Sequence, residues 1–185
     1  DSRSLTSYNT EGKTATQETQ YYHSLQKRWI PEFADSSFFN ENGNIEFKYG
    51  WEFIFDGEVW EPYYQEEYIY DTSDHLALKN LYNWTFDTAG GHWELSYQYQ
   101  HSTDVQGRDT LVERSYWTGS DWDPQSYKRM KYDAAGNLIL EADYWWDGEM
   151  TWWDGQWKEE YAYDAENRII ESVNFDWDNT IRDWY

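Results

Sequence analysis

The side chains with the clearest chemical potential in this chain are aromatic. Fourteen Trp, eighteen Tyr and eight Phe make up 22% of its 185 residues. Trp51, Trp84, Trp117, Trp145, Trp152 and Trp177 are the candidates for ligand contact. An indole plane stacks on the apolar face of a sugar ring, and neighbouring acids and amides bond the hydroxyls. A continuous exposed row of such rings would mark an interaction site. The competing role for the same rings is the interior, because Leu, Ile and Val are scarce and rings must supply most of the buried apolar surface. Trp145 and Trp146 are adjacent, as are Trp152 and Trp153. Neighbours on a strand face opposite sides, so one member of each pair is expected at the surface unless both faces are covered.

Other chemistry has weaker support. Two carboxylates flanking a glycosidic bond would make a glycosidase. With 36 acids in the chain, however, some pair always falls at a suitable distance. The expectation is a protein that is not an enzyme, with a glycoside-acting enzyme ranked last among the readings. His23, His75, His92 and His101 show no metal-ligand spacing, and no nucleophile elbow, phosphate loop or dinucleotide fingerprint is present. Asp121 and Asp123, and Asp176 and Asp178 with Asn179, could offer oxygens to Ca2+. The same residue types open turns by bonding their own backbone. No cofactor is expected, with Ca2+ the one weak candidate, and without cysteine there are no disulfides or thiolate sites.

Charge narrows the partners. Fourteen Lys and Arg against 36 acids give a net charge of −22. Phosphate binding needs cations to displace counterions, so nucleic acid is not an expected partner. Anionic membrane surfaces are disfavoured too, and no apolar run is long enough to predict membrane insertion. Asp1 to Thr6 show neither a basic nor an apolar leader segment, so a signal peptide is expected to be absent or already removed. The abundance of rings argues against an acidic disordered tail.

These residues are positioned by a repeat. An aromatic residue preceding an Asp or Asn turn recurs at Tyr8, Phe39, Tyr70, Tyr99, Tyr132 and Tyr163, with spacings of 31, 31, 29, 33 and 31. A tryptophan follows each at +21 to +23: Trp29, Trp60, Trp93, Trp122, Trp153 and Trp184. The first turn reads Asn9 to Gly12, Asn40 to Gly43, Asp71 to Asp74, Asp133 to Gly136 and Asp164 to Asn167. In the fourth repeat a longer loop, Gln100 to Gly107, is predicted. A second turn follows at Asp56-Gly57, Asp87 to Gly91, Thr118-Gly119, Asp147-Gly148 and Asp178-Asn179, which are hairpin markers. Between turns the pattern has period two, as in Ile45, Phe47, Tyr49, Trp51, Phe53 and Phe55, and this predicts strands with one buried face. A second aromatic row is predicted at Tyr22, Trp51, Tyr82, Trp117, Trp145 and Trp177.

The expected fold is all-β: an antiparallel β-hairpin repeat array of about six 31-residue repeats and about twelve strands. It would form a curved or spiralling sheet, a solenoid or a barrel, since long open sheets curl, split or close. The repeats run approximately 1–31, 32–62, 63–93, 94–124, 125–155 and 156–185 in one domain, 1–185. The phasing suits a part of a longer array.

The last two repeats carry Tyr132-Asp133-Ala134-Ala135-Gly136-Asn137-Leu138 and Tyr161-Ala162-Tyr163-Asp164-Ala165-Glu166-Asn167-Arg168-Ile169. This resembles the Tyr-Asp (YD, or RHS) repeat, whose consensus is Tyr-x-Tyr-Asp-x-x-Gly-Arg/Asn-Leu. Tyr144-Trp145-Trp146-Asp147-Gly148, then Trp153 and Trp157 to Tyr163, resembles the variety carried by secreted or surface Bacteroidota proteins. The resemblance implies a secreted or bacterial cell-surface location and a structural spacer, adhesin or assembly partner. A protein or glycan at the cell surface is the implied partner, and a carbohydrate-binding module using the aromatic rows is the alternative. Repeat three departs from the pattern with Asp74-His75, and repeat four lacks it. No terminal processing segment of the toxin-carrying relatives is present, so a toxin-enclosing shell is not implied.

Overall fold

Six five-residue turns of one design divide the chain, and their hydrogen bonds show why Asx opens each. In the turn Asn9 to Lys13, the Asn9 amide donates to the Lys13 carbonyl (2.8 Å) and the Gly12 amide donates to the Asn9 carbonyl (3.0 Å). The Asn9 side-chain oxygen accepts from the Glu11 and Lys13 amides. The backbone pattern repeats from Asn40, Asp71, Asp104, Asp133 and Asp164, and each of those side chains accepts from the amide four residues on. The fourth residue always takes a positive φ, between 60° and 95°: Gly12, Gly43, Asp74, Gly107, Gly136 and Asn167. Glycine has no Cβ to clash there, and Asn and Asp tolerate it best among the rest.

The fourth repeat differs from the predicted long loop. Gln100 to Thr103 belongs to a strand, and the fourth turn is Asp104-Val105-Gln106-Gly107-Arg108, built like the other five. The position before it holds Thr103, so Tyr99 is not the equivalent of Tyr132. The turn of repeat four is intact and only its aromatic residue is missing.

The computed structural model describes residues 2–185; Asp1, which opens the predicted leader reading and first repeat, lies outside the described residues. The strands are β1 (Ser2–Tyr8), β2 (Thr14–His23), β3 (Arg28–Phe39), β4 (Ile45–Ile54), β5 (Val59–Tyr70), β6 (Leu76–Asp87), β7 (Gly90–Thr103), β8 (Asp109–Trp117), β9 (Trp122–Tyr132), β10 (Leu138–Asp147), β11 (Trp152–Tyr163), β12 (Ile169–Phe175), β13 (Trp177–Asp178) and β14 (Asp183–Trp184). The first twelve form one antiparallel sheet in sequence order, and β13 pairs with β14. The order has two ends, β1 and β12, so the sheet does not close as a barrel. Two compact units can be described separately. The first holds residues up to Ile69 with Lys79–Ser96; the second holds Tyr70–Leu78 and Tyr97–Tyr185.

In each unit, adjacent turns are tied by their fifth residue. In the first, Lys13 Nζ donates to the Gly43 carbonyl (2.7 Å) and stands over the Phe39 ring. In the second, the Arg108 guanidinium lies 4.3 Å from the Tyr132 ring centroid, and Asn137 Nδ2 donates to Asn167 Oδ1 (2.9 Å).

The opposite ends of the hairpins are closed by rings. Tyr22–Trp29, Phe53–Trp60 and Trp84–Trp93 in the first unit, and Trp117–Trp122, Trp146–Trp153 and Trp177–Trp184 in the second, have centroids 5.0 to 5.5 Å apart. Their planes cross at 58° to 70°, the edge-to-face arrangement that the ring quadrupole favours. Phe53, Trp84 and Trp146 therefore hold the places the sequence reading gave to Trp51, Tyr82 and Trp145.

Two residues past the ring, all three prolines of the chain, Pro31, Pro62 and Pro124, fall at equivalent positions, and Gly155 holds a fourth. The register shifts there, leaving Glu32, Tyr63, Gln125 and Gln156 as extra residues. A bulge is where a strand tolerates a residue that donates no ladder hydrogen bond.

Burial also differs from expectation. Among the described residues only Ile30 in the first unit and Ala142 in the second are buried apolar side chains, and most rings are half-buried. The period-two pattern marks two faces, but neither is a dry interior. Cross-strand pairing of rings takes the place of a core.

Candidate functional site

Trp145 is the most solvent-exposed of the tryptophans that the sequence nominates, at 58% exposure. It lies on β10 directly opposite Asp154 of β11 and Ser126 of β9, while its neighbour Trp146 pairs with Trp153 on the other face. The Trp145 indole therefore borders two clefts of the second unit. One, of about 470 Å3, is lined by Asp147, Asp154 and Gln156. The other, of about 300 Å3, is lined by Tyr99, Arg114, Ser126, Lys128 and Asp143.

Cross-strand register builds the second cleft. Arg114 of β8 pairs with Ser126 of β9, which pairs with Trp145 of β10. A small side chain thus separates a guanidinium from an indole across two strand spacings, about 10 Å of backbone. In the next row Lys128 stands opposite Asp143. Its ammonium bonds Glu141 (2.7 Å) and lies 3.8 Å from Asp143. Burial pushes the Asp143 carboxyl above its usual range, against the pull of Lys128 and a hydrogen bond from Trp157. Arg114 stacks on Tyr97 at 4.1 Å, and its buried Nε has no hydrogen-bond partner among the described residues.

The other nominated tryptophans divide by role. Trp152 shares the Trp145 face, donates from Nε1 to Asp154 (3.0 Å) and carries the Arg182 guanidinium 3.5 Å from its ring centroid. Trp51, in the first unit, walls a cleft of about 400 Å3 with Trp60 over a floor that includes Ala34 and Ser36. Trp84, Trp117 and Trp177 belong to the paired rings. Trp84 covers Gly91 and Trp177 covers Gly155, where any Cβ would overlap the indole. The structure therefore brings Trp145 and Trp152 to one surface and uses Trp84, Trp117 and Trp177 to close hairpins. Sequence reasoning missed Arg114 and Ser126, which only strand register places beside Trp145.

The calcium candidates are occupied locally. Asp178 accepts from the Thr180 and Ile181 amides, which holds its carboxyl below the usual range. Asp121 accepts from the Trp122 amide, Asp123 from Gln125, and the Asp176 backbone pairs with Tyr185. Among the described residues no group of three or more His, Cys, Asp or Glu is placed to hold a metal ion.

No family model matches the chain, and no curated protein matches it. Among solved structures it is similar to a Bacteroides fragilis protein of unknown function, with 10% identity and a TM-score of 0.38 over 84% of this chain and 88% of that one. It is also similar to TcdB2-TccC3 without its hypervariable C-terminal region, with 10% identity and a TM-score of 0.33. That match covers 94% of this chain, which spans 12% of the TcdB2-TccC3 chain.

Proposed function

We propose that the chain is a non-catalytic repeat module of a secreted or cell-surface protein, and that it adheres to glycans through the face carrying Trp145. The observation that carries this reading is the exposed indole between two polar clefts, because an open ring flanked by hydroxyl-bonding groups suits a sugar better than a packed core. Asp147, Asp154 and Gln156 supply carboxylates and an amide on one side, and Ser126 and Asp143 supply a hydroxyl and a carboxylate on the other. The non-catalytic part of the reading is supported in one cleft by Lys128, which bonds Glu141 and lies beside Asp143, so that these carboxylates are ion-paired.

Affinity electrophoresis in gels of soluble polysaccharides, combined with a glycan array, tests the reading. Retardation by at least one glycan that disappears in Trp145→Ala, with unchanged thermal unfolding, is expected. Equal retardation of both proteins would show that this face is not the binding surface. Release of sugar from any retarding glycan would overturn the non-catalytic assignment.

A further inference from the structure

We infer that the cleft between Trp145 and Arg114 takes an acidic sugar unit, with its ring on the indole and its anionic group on the guanidinium. The inference rests on the glycan reading above and names the sugar class. Three observations converge on it.

First, the row Arg114–Ser126–Trp145 puts a cation and a ring on either side of a small residue, leaving a slot of about 300 Å3. That is at the small end of ligand pockets, a size for one or two sugar units. Second, the buried Nε of Arg114 has no hydrogen-bond partner among the described residues. An anion in the slot would give the guanidinium a charge-assisted partner through its remaining N–H groups. The planar guanidinium, braced on Tyr97, presents the fork that pairs with a carboxylate or sulfate. Third, Ser126 and Asp143 line the same slot and can bond ring hydroxyls.

The net charge of −22 opposes an acidic ligand at long range. Salt confines that repulsion to about 8 Å at physiological ionic strength, so contact with Arg114 decides the outcome.

The test measures binding of a uronate oligosaccharide, a sulfated oligosaccharide and a neutral oligosaccharide of matched length to the whole chain. Wild type, Arg114→Gln and Trp145→Ala are compared by calorimetry, with thermal unfolding as the fold control. The wild type should bind at least one acidic oligosaccharide about tenfold or more tightly than the neutral one, as a charge-assisted pair implies. Arg114→Gln should erase that preference, so that acidic and neutral oligosaccharides bind that variant alike, and Trp145→Ala should weaken both. Comparison of the uronate and sulfate arms identifies the anion. If neutral and acidic sugars bind equally through Trp145, the acidic subsite is wrong and the glycan surface stands. Failure of all three to bind at millimolar concentration overturns both. If Arg114→Gln unfolds the chain, Arg114→Lys keeps the charge but not the fork, and an undiminished acidic preference in that variant would reject bidentate pairing.

Discussion

The two compact units build the same turn from different opening residues. The first uses Asn9 and Asn40; the second uses Asp71, Asp104, Asp133 and Asp164. Both side chains accept the same amide hydrogen bonds, but only aspartate titrates. Individual ring pairs differ as well. Trp153 of the second unit packs on Trp146 and also meets Tyr127 at 4.7 Å, whereas Trp60 of the first pairs with Phe53 and is 38% exposed. One repeat design therefore yields unequal local stability and unequal response to acid.

The largest effect should come from the rings. Trp153→Ala removes contacts with two rings and should cost about 3 kcal/mol, while Trp60→Ala should cost about 1 kcal/mol. Urea unfolding monitored by circular dichroism measures both. Equal costs would mean that the ring network adds nothing beyond the single pair.

Acid should separate the units next. Asp71 and Asp164 are held below the usual carboxylate range chiefly by backbone amides, Asp104 by Arg108 and Asp133 by Asn137. A folded-state pKa below the unfolded value contributes stability that is present above the unfolded pKa, near 4. That stability is lost as pH falls through the depressed folded value. Hydrogen exchange at the His75, Arg108, Asn137 and Arg168 amides should therefore lose protection below about pH 4, beyond the ordinary pH dependence of exchange. The Lys13 and Asn44 amides, bonded to asparagine, should not. Asp133→Asn with Asp164→Asn should remove the difference locally. Parallel loss of protection at all six turns would show that global unfolding, not turn titration, governs the response.

Glycine at the fourth turn position gives a third contrast. Gly12 of the first unit has φ +78° and open space around it, so Gly12→Ala should cost about 1 kcal/mol for the left-handed backbone alone. Gly107 of the second has φ +79°, and an added Cβ would overlap the His75 ring. Gly107→Ala should cost about 2 kcal/mol or more. Thermal unfolding of the two variants decides, and equal costs would mean that His75 moves aside freely.

Much of this architecture is visible in the sequence because turns and alternation are local. Asn9, Asn40, Asp133 and Asp164 announce their hairpins, and every one of the six tryptophans at +21 to +23 takes part in a ring pair. What stays hidden depends on register. Period two puts Trp51 and Phe53 on the same face, and only the count back from the turn shows that Phe53 meets Trp60. Trp145 and Trp146 are equally good candidates until pairing with Trp153 fixes which faces which way. A bulge such as the one at Gln125 shifts the cross-strand alignment, so the Arg114–Ser126–Trp145 row cannot be assembled from spacing alone. Two signals were available. Asp104-Val105-Gln106-Gly107-Arg108 matches the turn consensus once an aromatic residue before it is not required. The recurrence of Pro31, Pro62 and Pro124 two residues after a tryptophan marks the bulges.

The smallest contrast lies in the second turns, where Glu58 of the first unit and Thr151 of the second both hold positive φ, 47° and 59°. A β-branched side chain crowds the left-handed backbone more than an unbranched one. Thr151 is held there by its amide, which donates to the Asp147 carbonyl at 2.7 Å, while Asp147 Oδ1 accepts from Glu149 and Met150. Glycine at this position keeps the backbone bond and releases the strain, but it also gives the unfolded chain more freedom. Release of about 1–2 kcal/mol of strain against up to about 1 kcal/mol of entropy leaves Thr151→Gly stabilising by about 0.5–1 kcal/mol. Glu58→Gly should be close to neutral. A destabilised Thr151→Gly in thermal unfolding would mean that the threonine side chain makes a contact worth more than its backbone strain.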